Sequence, residues 1–97
     1  MAMEAMAMGI PCIISANTGH LDIICNETCY ALLNQKDVKP FHPYNNVDGW
    51  GEASIDEILD HMEKLYLDQE AAQTIGENAS NAMKKYSWDN QIEKLLD

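Results

Sequence analysis

The sequence is short of positive charge. Six basic residues stand against 16 acidic ones, a formal net charge of −10 over 97 residues. Such a surface repels phosphate backbones and anionic headgroups, which sets nucleic-acid and membrane-surface binding aside. Long apolar runs are missing too, and none approaches the ~20 residues of a membrane span. The first residues carry no basic stretch of the signal-peptide kind. A reducing, cytoplasmic setting is therefore expected. Cysteine is limited to Cys12, Cys25 and Cys29, and an odd count does not make a disulfide framework. Cys25 and Cys29, with His20 nearby, match no standard zinc spacing. Three free thiols and no metal site are the expectation. Asn26-Glu27-Thr28 and Asn78-Ala79-Ser80 fit the glycosylation pattern, and in such a compartment they are chance matches.

What is present is ordinary for a globular protein: 46% hydrophobic and 23% charged residues. The length allows one small domain. A domain of this size buries only roughly 60–65% of the surface its unfolded chain exposes.

Met1 to Met8 reads Met-Ala-Met-Glu-Ala-Met-Ala-Met. These are strong helix formers with almost no polar face, a pattern that predicts a buried helix. Glu4 is its one charge, and no N-cap residue precedes it. Gly9 suits the position after a helix and Pro11 prevents continuation. Cys12 to Ser15 is then a short apolar strand of the parallel-sheet kind. Asn17 to His20 reads as a turn, Leu21 to Cys25 as a short helix and Cys29 to Leu33 as a second strand. Residues 34–53 hold Pro40, Pro43, Gly49 and Gly51 and predict a long loop, a kind of segment that is usually functional or mobile.

Residues 54–97 predict helices. Ser54 and Glu57 fit a capping box, followed by an apolar stripe of Ile55, Ile58, Leu59, Met62, Leu65 and Tyr66. Asp68 can cap the next helix, with Ala71, Ala72, Ile75, Ala79, Ala82 and Met83 as its stripe. Ser87 can cap a third, with Trp88, Ile92, Leu95 and Leu96 as its face. Helix, strand, short helix, strand, helices is an α/β order with a parallel pair, and two strands alone make a poor sheet.

Glu4-Ala5-Met6-Ala7-Met8-Gly9-Ile10-Pro11-Cys12-Ile13 resembles the E-A-M-A-x-G-x-P-V-I signature of the retaining GT-B glycosyltransferases often called group one. Ser15 to Ile24 is similar to that family's segment ending in G-G-x-P-E-x-V, with Thr18 in place of the first glycine and Asp22 in place of the glutamate. Gly49-Trp50-Gly51-Glu52 and Ile55 to Ile58 are similar to a subgroup's W-x-E-P loop and the helix after it, with Ala53-Ser54 where the subgroup has proline. Gly76-Glu77-Asn78-Ala79 and Tyr86-Ser87-Trp88-Asp89 are similar to G-E-x-A and F-S-W-E. The order and spacing of these segments cover nearly the whole chain.

The resemblance implies a fold and a site. The fold would be part of a Rossmann-like C-terminal GT-B subdomain, with two short parallel strands and four or five helices, spanning residues 1–97 as one partial domain. A nucleotide-sugar donor would bind as substrate, with no cofactor and no metal. Glu4 matches the second of a glutamate pair and would hold the ribose hydroxyls, since both carboxylate oxygens accept hydrogen bonds. The diphosphate would lie near the start of the same helix, at Met1, Ala2 and Met3, where free backbone N–H groups favour anions. The first glutamate would fall eight positions before Glu4, ahead of Met1. His20, His42 and His61 do not match the family's catalytic histidine. No catalytic residue is therefore expected here, and the chain is expected to be inactive without a complementing N-terminal domain.

Plainer readings stand beside these. Glu4 could be the polar edge of a buried helix, and His20 a loop histidine with one hydrogen bond. The methionines could form a soft binding surface or simple core packing. Phe41, His42, Tyr44 and Trp50 could contact a sugar, whereas Trp88 reads as a helix anchor. The acidic helix faces read as solvated surface. A second class of function is a non-catalytic module that forms a homodimer or a heteromeric complex through a sheet edge and the apolar first helix. A third is a truncated chain with no role of its own.

Overall fold

Helix formation follows the local signals closely in the C-terminal half. In the computed structural model, which describes residues 1–96, helix α2 covers Ile55–Leu67 and α3 covers Gln69–Met83. Ser54 Oγ accepts a hydrogen bond from the Glu57 N–H at 3.4 Å and so caps α2. Asp68 caps α3 by accepting from the Ala71 N–H at 3.0 Å. Helix α4, Trp88–Leu96, starts after Ser87, whose Oγ accepts from the Asn90 N–H at 3.3 Å. Each cap satisfies one of the amide donors a helix start leaves open. The other half of the expected capping box is not formed. The Glu57 carboxylate instead accepts from the Asn34 N–H at 3.0 Å, which ties α2 to the chain 23 residues upstream.

Towards the N-terminus, α1 is Ala2–Ala7 and ends at Gly9, whose φ of +79° is the left-handed turn that glycine makes at little cost. Strands β1 (Ile13–Ser15) and β2 (Tyr30–Leu32) pair in parallel, Ile14 opposite Ala31. Between them the expected Leu21–Cys25 helix is replaced by a 3₁₀ turn at Thr18–Asp22. The stretch expected as a loop from 34 to 53 has a strand at each end. β3 (Gln35–Asp37) and β4 (Gly51–Ala53) form an antiparallel pair, Lys36 opposite Glu52. The Asn17 side chain secures this pair, donating from Nδ2 to Gln35 Oε1 at 3.1 Å and to the Gly51 carbonyl at 3.4 Å. A second 3₁₀ turn, Lys84–Tyr86, links α3 to α4. The architecture is mixed α/β. The four or five helices expected resolve into three of nine residues or more and the six-residue α1, with 3₁₀ turns at the joints.

The core is small. Met6, Ile14, Cys29, Ala79 and Met83 are buried together, so α1, the parallel pair and α3 meet there. The close contact is backbone on backbone. A Cβ on Gly76 of α3 would overlap the Gly9 carbonyl oxygen, and Ser80 Oγ on the next turn donates to the Ala7 carbonyl at 3.0 Å. That hydrogen bond satisfies one of the carbonyls left open where α1 ends. His61 Nε2 lies 3.0 Å from the Ala31 carbonyl and links α2 to β2.

The expectation of a first helix buried all round is corrected. Only Met6 of α1 is buried, while Met1 and Met8 are exposed. The expected stripes of α2 and α4 are also open: Ile55, Leu59, Met62 and Tyr66 on one, Trp88, Ile92, Leu95 and Leu96 on the other. The radius of gyration is 15.6 Å with extents of 42 × 41 × 18 Å, against about 12.5 Å for a compact domain of this length. Amphipathic periodicity fixes that a face exists and leaves open what covers it. No helix is long and apolar enough to cross a membrane among the described residues. The expected helical span also takes in Asp97, which lies outside the described residues.

Gly76 supplies a test with an unusual sign. An exposed helix glycine replaced by alanine gains about 1 kcal/mol. Here overpacking against Gly9 opposes that gain. Gly76→Ala is expected to lose roughly 1–2 kcal/mol, read as a lower urea midpoint; a raised midpoint would remove the close approach from the account.

Candidate functional site

Glu4 lies in the first turn of α1 and is 78% exposed, on a helix of which only Met6 is buried. Its Oε2 is 2.6 Å from the Met1 amino group. That amine, with the Glu4 backbone N–H, pushes the carboxyl below its ordinary value. A groove of 590 Å³ opens beside it, between α1 and the junction of α3 with α4. Glu4 and Met3 form one wall, and Ser80, Lys84, Tyr86 and Trp88 form the other.

The four residues expected at the donor site are thus dispersed in role. Glu4 and Met3 line the groove, Ala2 packs partly buried against the core, and Met1 is fully exposed. Ser80, Lys84 and Trp88 join Glu4 across about 80 residues of sequence. Trp88, expected as a helix anchor, is 83% exposed and anchors nothing among the described residues. The apolar face of the third helix and the F-S-W-E likeness both singled it out in the sequence, but no periodic signal can report a wall built from two distant segments. The arrangement combines a carboxylate that accepts two hydrogen bonds, an ammonium that attracts anions and an indole face open to solvent.

His20 lies on the exposed 3₁₀ turn and lines neither this groove nor the others near β3 and β4. His61 is committed to Ala31, and His42 precedes Pro43 in a cis peptide. Among the described residues, no three His, Cys, Asp or Glu side chains converge as metal ligands. Cys25 is exposed and Cys29 buried, while partial burial pushes the Cys12 thiol up from its ordinary value.

A second set of depressions lies at the carboxyl ends of the parallel strands. One of 470 Å³ includes Asn17, Thr18, Lys36, Asp37 and Trp50 in its lining. A smaller one of 280 Å³ shares Asn17, Thr18, Trp50 and Gly51 with it. Ligands of open α/β sheets characteristically lie beyond the carboxyl ends of the strands. Neither depression shares a lining residue with the Glu4 groove.

The chain is mixed α/β, with a carboxylate over an open groove and a further cleft at its strand ends. The class is glycosyltransferase-related: the family model described as Family 4 Glycosyltransferase in conflict systems matches residues 1–95, and the chain belongs to that family. No curated protein and no solved structure matches it.

Thr18 stands where the resembled pattern has glycine, and its φ is +47°. A β-branched residue is strained there. The left-handed region costs about 1–2 kcal/mol for a side chain bearing Cβ, and glycine returns about 0.4–1 kcal/mol of that through unfolded-state entropy. Thr18→Gly is expected to gain a net ~0.5–1 kcal/mol, seen as a higher thermal midpoint. A lower midpoint would mean that the hydroxyl, 3.3 Å from Asn17 Oδ1, matters more than the strain.

Proposed function

We propose that this chain is the donor-side part of a retaining GT-B glycosyltransferase, which moves a sugar from a nucleotide-sugar to an acceptor. The observation that carries the proposal is Glu4: an exposed carboxylate on α1, opening onto a groove of ligand size, in a chain that matches a glycosyltransferase family over residues 1–95. Pockets for small ligands run from about 300 to 1,000 Å³, and this one fits that range.

The groove suits a nucleotide in three respects. Glu4 can accept from both ribose hydroxyls. Lys84 is a cation for the phosphates, needed in a chain whose net charge of −10 otherwise repels them. Trp88 presents a face on which a base can stack. Met1, Ala2 and Met3, at the start of α1, are proposed to contribute backbone N–H groups. Catalysis is assigned to no residue of the chain. The parallel β1–β2 pair packed on α1 and α3 supports reading the fold as part of a Rossmann-like subdomain.

Thermal unfolding with and without millimolar UDP, GDP and ADP tests the proposal. A ligand at ~100 times its Kd stabilises by about 2.7 kcal/mol, which for a domain of this length raises Tm by roughly 10 °C or more. One nucleotide is expected to give such a shift, and Glu4→Ala to abolish it. Because Glu4 is so exposed, its loss should leave the unliganded midpoint almost unchanged. Absence of a shift with all three nucleotides, or a shift that survives Glu4→Ala, would take the donor role away from this groove.

A further inference from the structure

The loop between β3 and β4 gathers three aromatic rings on the surface of a chain that has seven. Phe41 and Tyr44 are 5.4 Å apart, Tyr44 and Trp50 5.6 Å, and Phe41 and Trp50 6.5 Å. Each is 41–51% exposed. Aromatic residues usually bury their area, so a packed cluster left open to solvent marks a contact surface. The backbone beneath holds it in place. The Phe41 N–H donates to the Tyr44 carbonyl at 2.9 Å, the Trp50 N–H donates to the Val47 carbonyl at 3.0 Å, and Val47 itself is buried.

Trp50 belongs at once to this cluster and to both depressions at the carboxyl ends of β1 and β2. The larger depression is lined as well by Thr18, Lys36 and Asp37. It thus joins an aromatic residue to residues that donate and accept hydrogen bonds.

We infer that Trp50, flanked by Phe41 and Tyr44, is the stacking platform of a subsite for a neutral pyranose ring. A pyranose has that same division: one face of C–H groups, and a rim of hydroxyls that donate and accept. A neutral hydroxylated ring meets no repulsion from the chain's overall negative charge. A lipid surface or an apolar peptide would have no use for the polar residues Thr18, Lys36 and Asp37 in the lining. The inference rests on the sugar-transfer reading for its ligand class but on different residues, since the platform and the Glu4 groove have no lining residue in common.

Saturation-transfer NMR on the full chain, with maltotriose and mannotriose as separate probes, tests the platform. Saturation is expected on ring C–H protons of one face, with binding weakened at least ten-fold in Trp50→Ala and restored at least partly in Trp50→Phe. Glu4→Ala should leave it unchanged. Amide spectra report whether each variant is folded, and Trp50→Leu replaces Trp50→Ala if the latter is not. No saturation with either trisaccharide, or saturation unaltered by loss of the indole, overturns the inference. The nucleotide shifts are measured on the same variants. A shift lost in Glu4→Ala and kept in Trp50→Ala upholds the donor reading whatever the trisaccharides do, and trisaccharide binding without any nucleotide shift upholds the platform alone.

Discussion

Helix α3 and the turn after α1 approach until backbone meets backbone, with Gly76 against the Gly9 carbonyl and no side chain between. Much else follows from that spacing. At closer range than two ordinary residues allow, Ser80 can reach the Ala7 carbonyl and Ala79 can lie against Met6. Met6 then covers Ile14 of β1 and Cys29 just before β2. The Glu4 groove owes its two walls to the same crossing, because Ser80 and Lys84 lie on the turns of chain that follow Gly76. The Gly-Glu-x-Ala likeness thus has a packing meaning. Its first and last residues are the two small ones at the contact, one helical turn apart.

The described residues contain far more apolar helix face than core. Nine hydrophobic residues are buried, while Ile55, Leu59, Met62, Tyr66, Trp88, Ile92, Leu95 and Leu96 stand in solvent on α2 and α4. A plate 18 Å thick has little interior to offer them. Stability therefore rests on the crossing of α1 with α3 and the hydrogen bonds that join segments: Asn78 to the Glu27 carbonyl at 3.0 Å, Tyr86 to the Asp22 carbonyl at 3.4 Å, and Glu57 to Asn34. These bonds pin the loops without adding apolar burial, the dominant favourable term in folding.

What could be read in the sequence was what depends on neighbours along the chain. Ser54, Asp68 and Ser87 announced three helix starts because a cap acts within three residues. Gly9 announced a left-handed turn, and Cys12–Ser15 and Cys29–Leu33 announced the parallel strands to within a residue or two. What depends on distant partners was not legible. Glu57 fits a capping box locally, yet Asn34 competes for its carboxylate and wins. The β3–β4 pair lies in a stretch whose prolines and glycines read as loop, and Asn17, 18 and 34 residues away from its two partners, adds a side-chain hydrogen bond to each strand. Glu4 could be singled out by resemblance, whereas the Lys84 and Trp88 opposite it come from the far end of the chain.

Helix α4 hangs from the 3₁₀ turn before it. Asn90 donates from Nδ2 to the Lys84 carbonyl at 2.7 Å, and Gln91 donates from Nε2 to the Lys85 carbonyl at 2.8 Å. Both attachments lie in the first turn, so the helix is a lever fixed at one end. Its nine residues span about 13 Å, and a 10° tilt at Ser87 would carry Leu96 about 2 Å while Trp88, at the fulcrum, stays nearly still. The aromatic wall of the Glu4 groove is thereby insulated from whatever the outer half of the helix does. Ile92, Leu95 and Leu96 can shift to meet another surface without disturbing the indole beside the carboxylate.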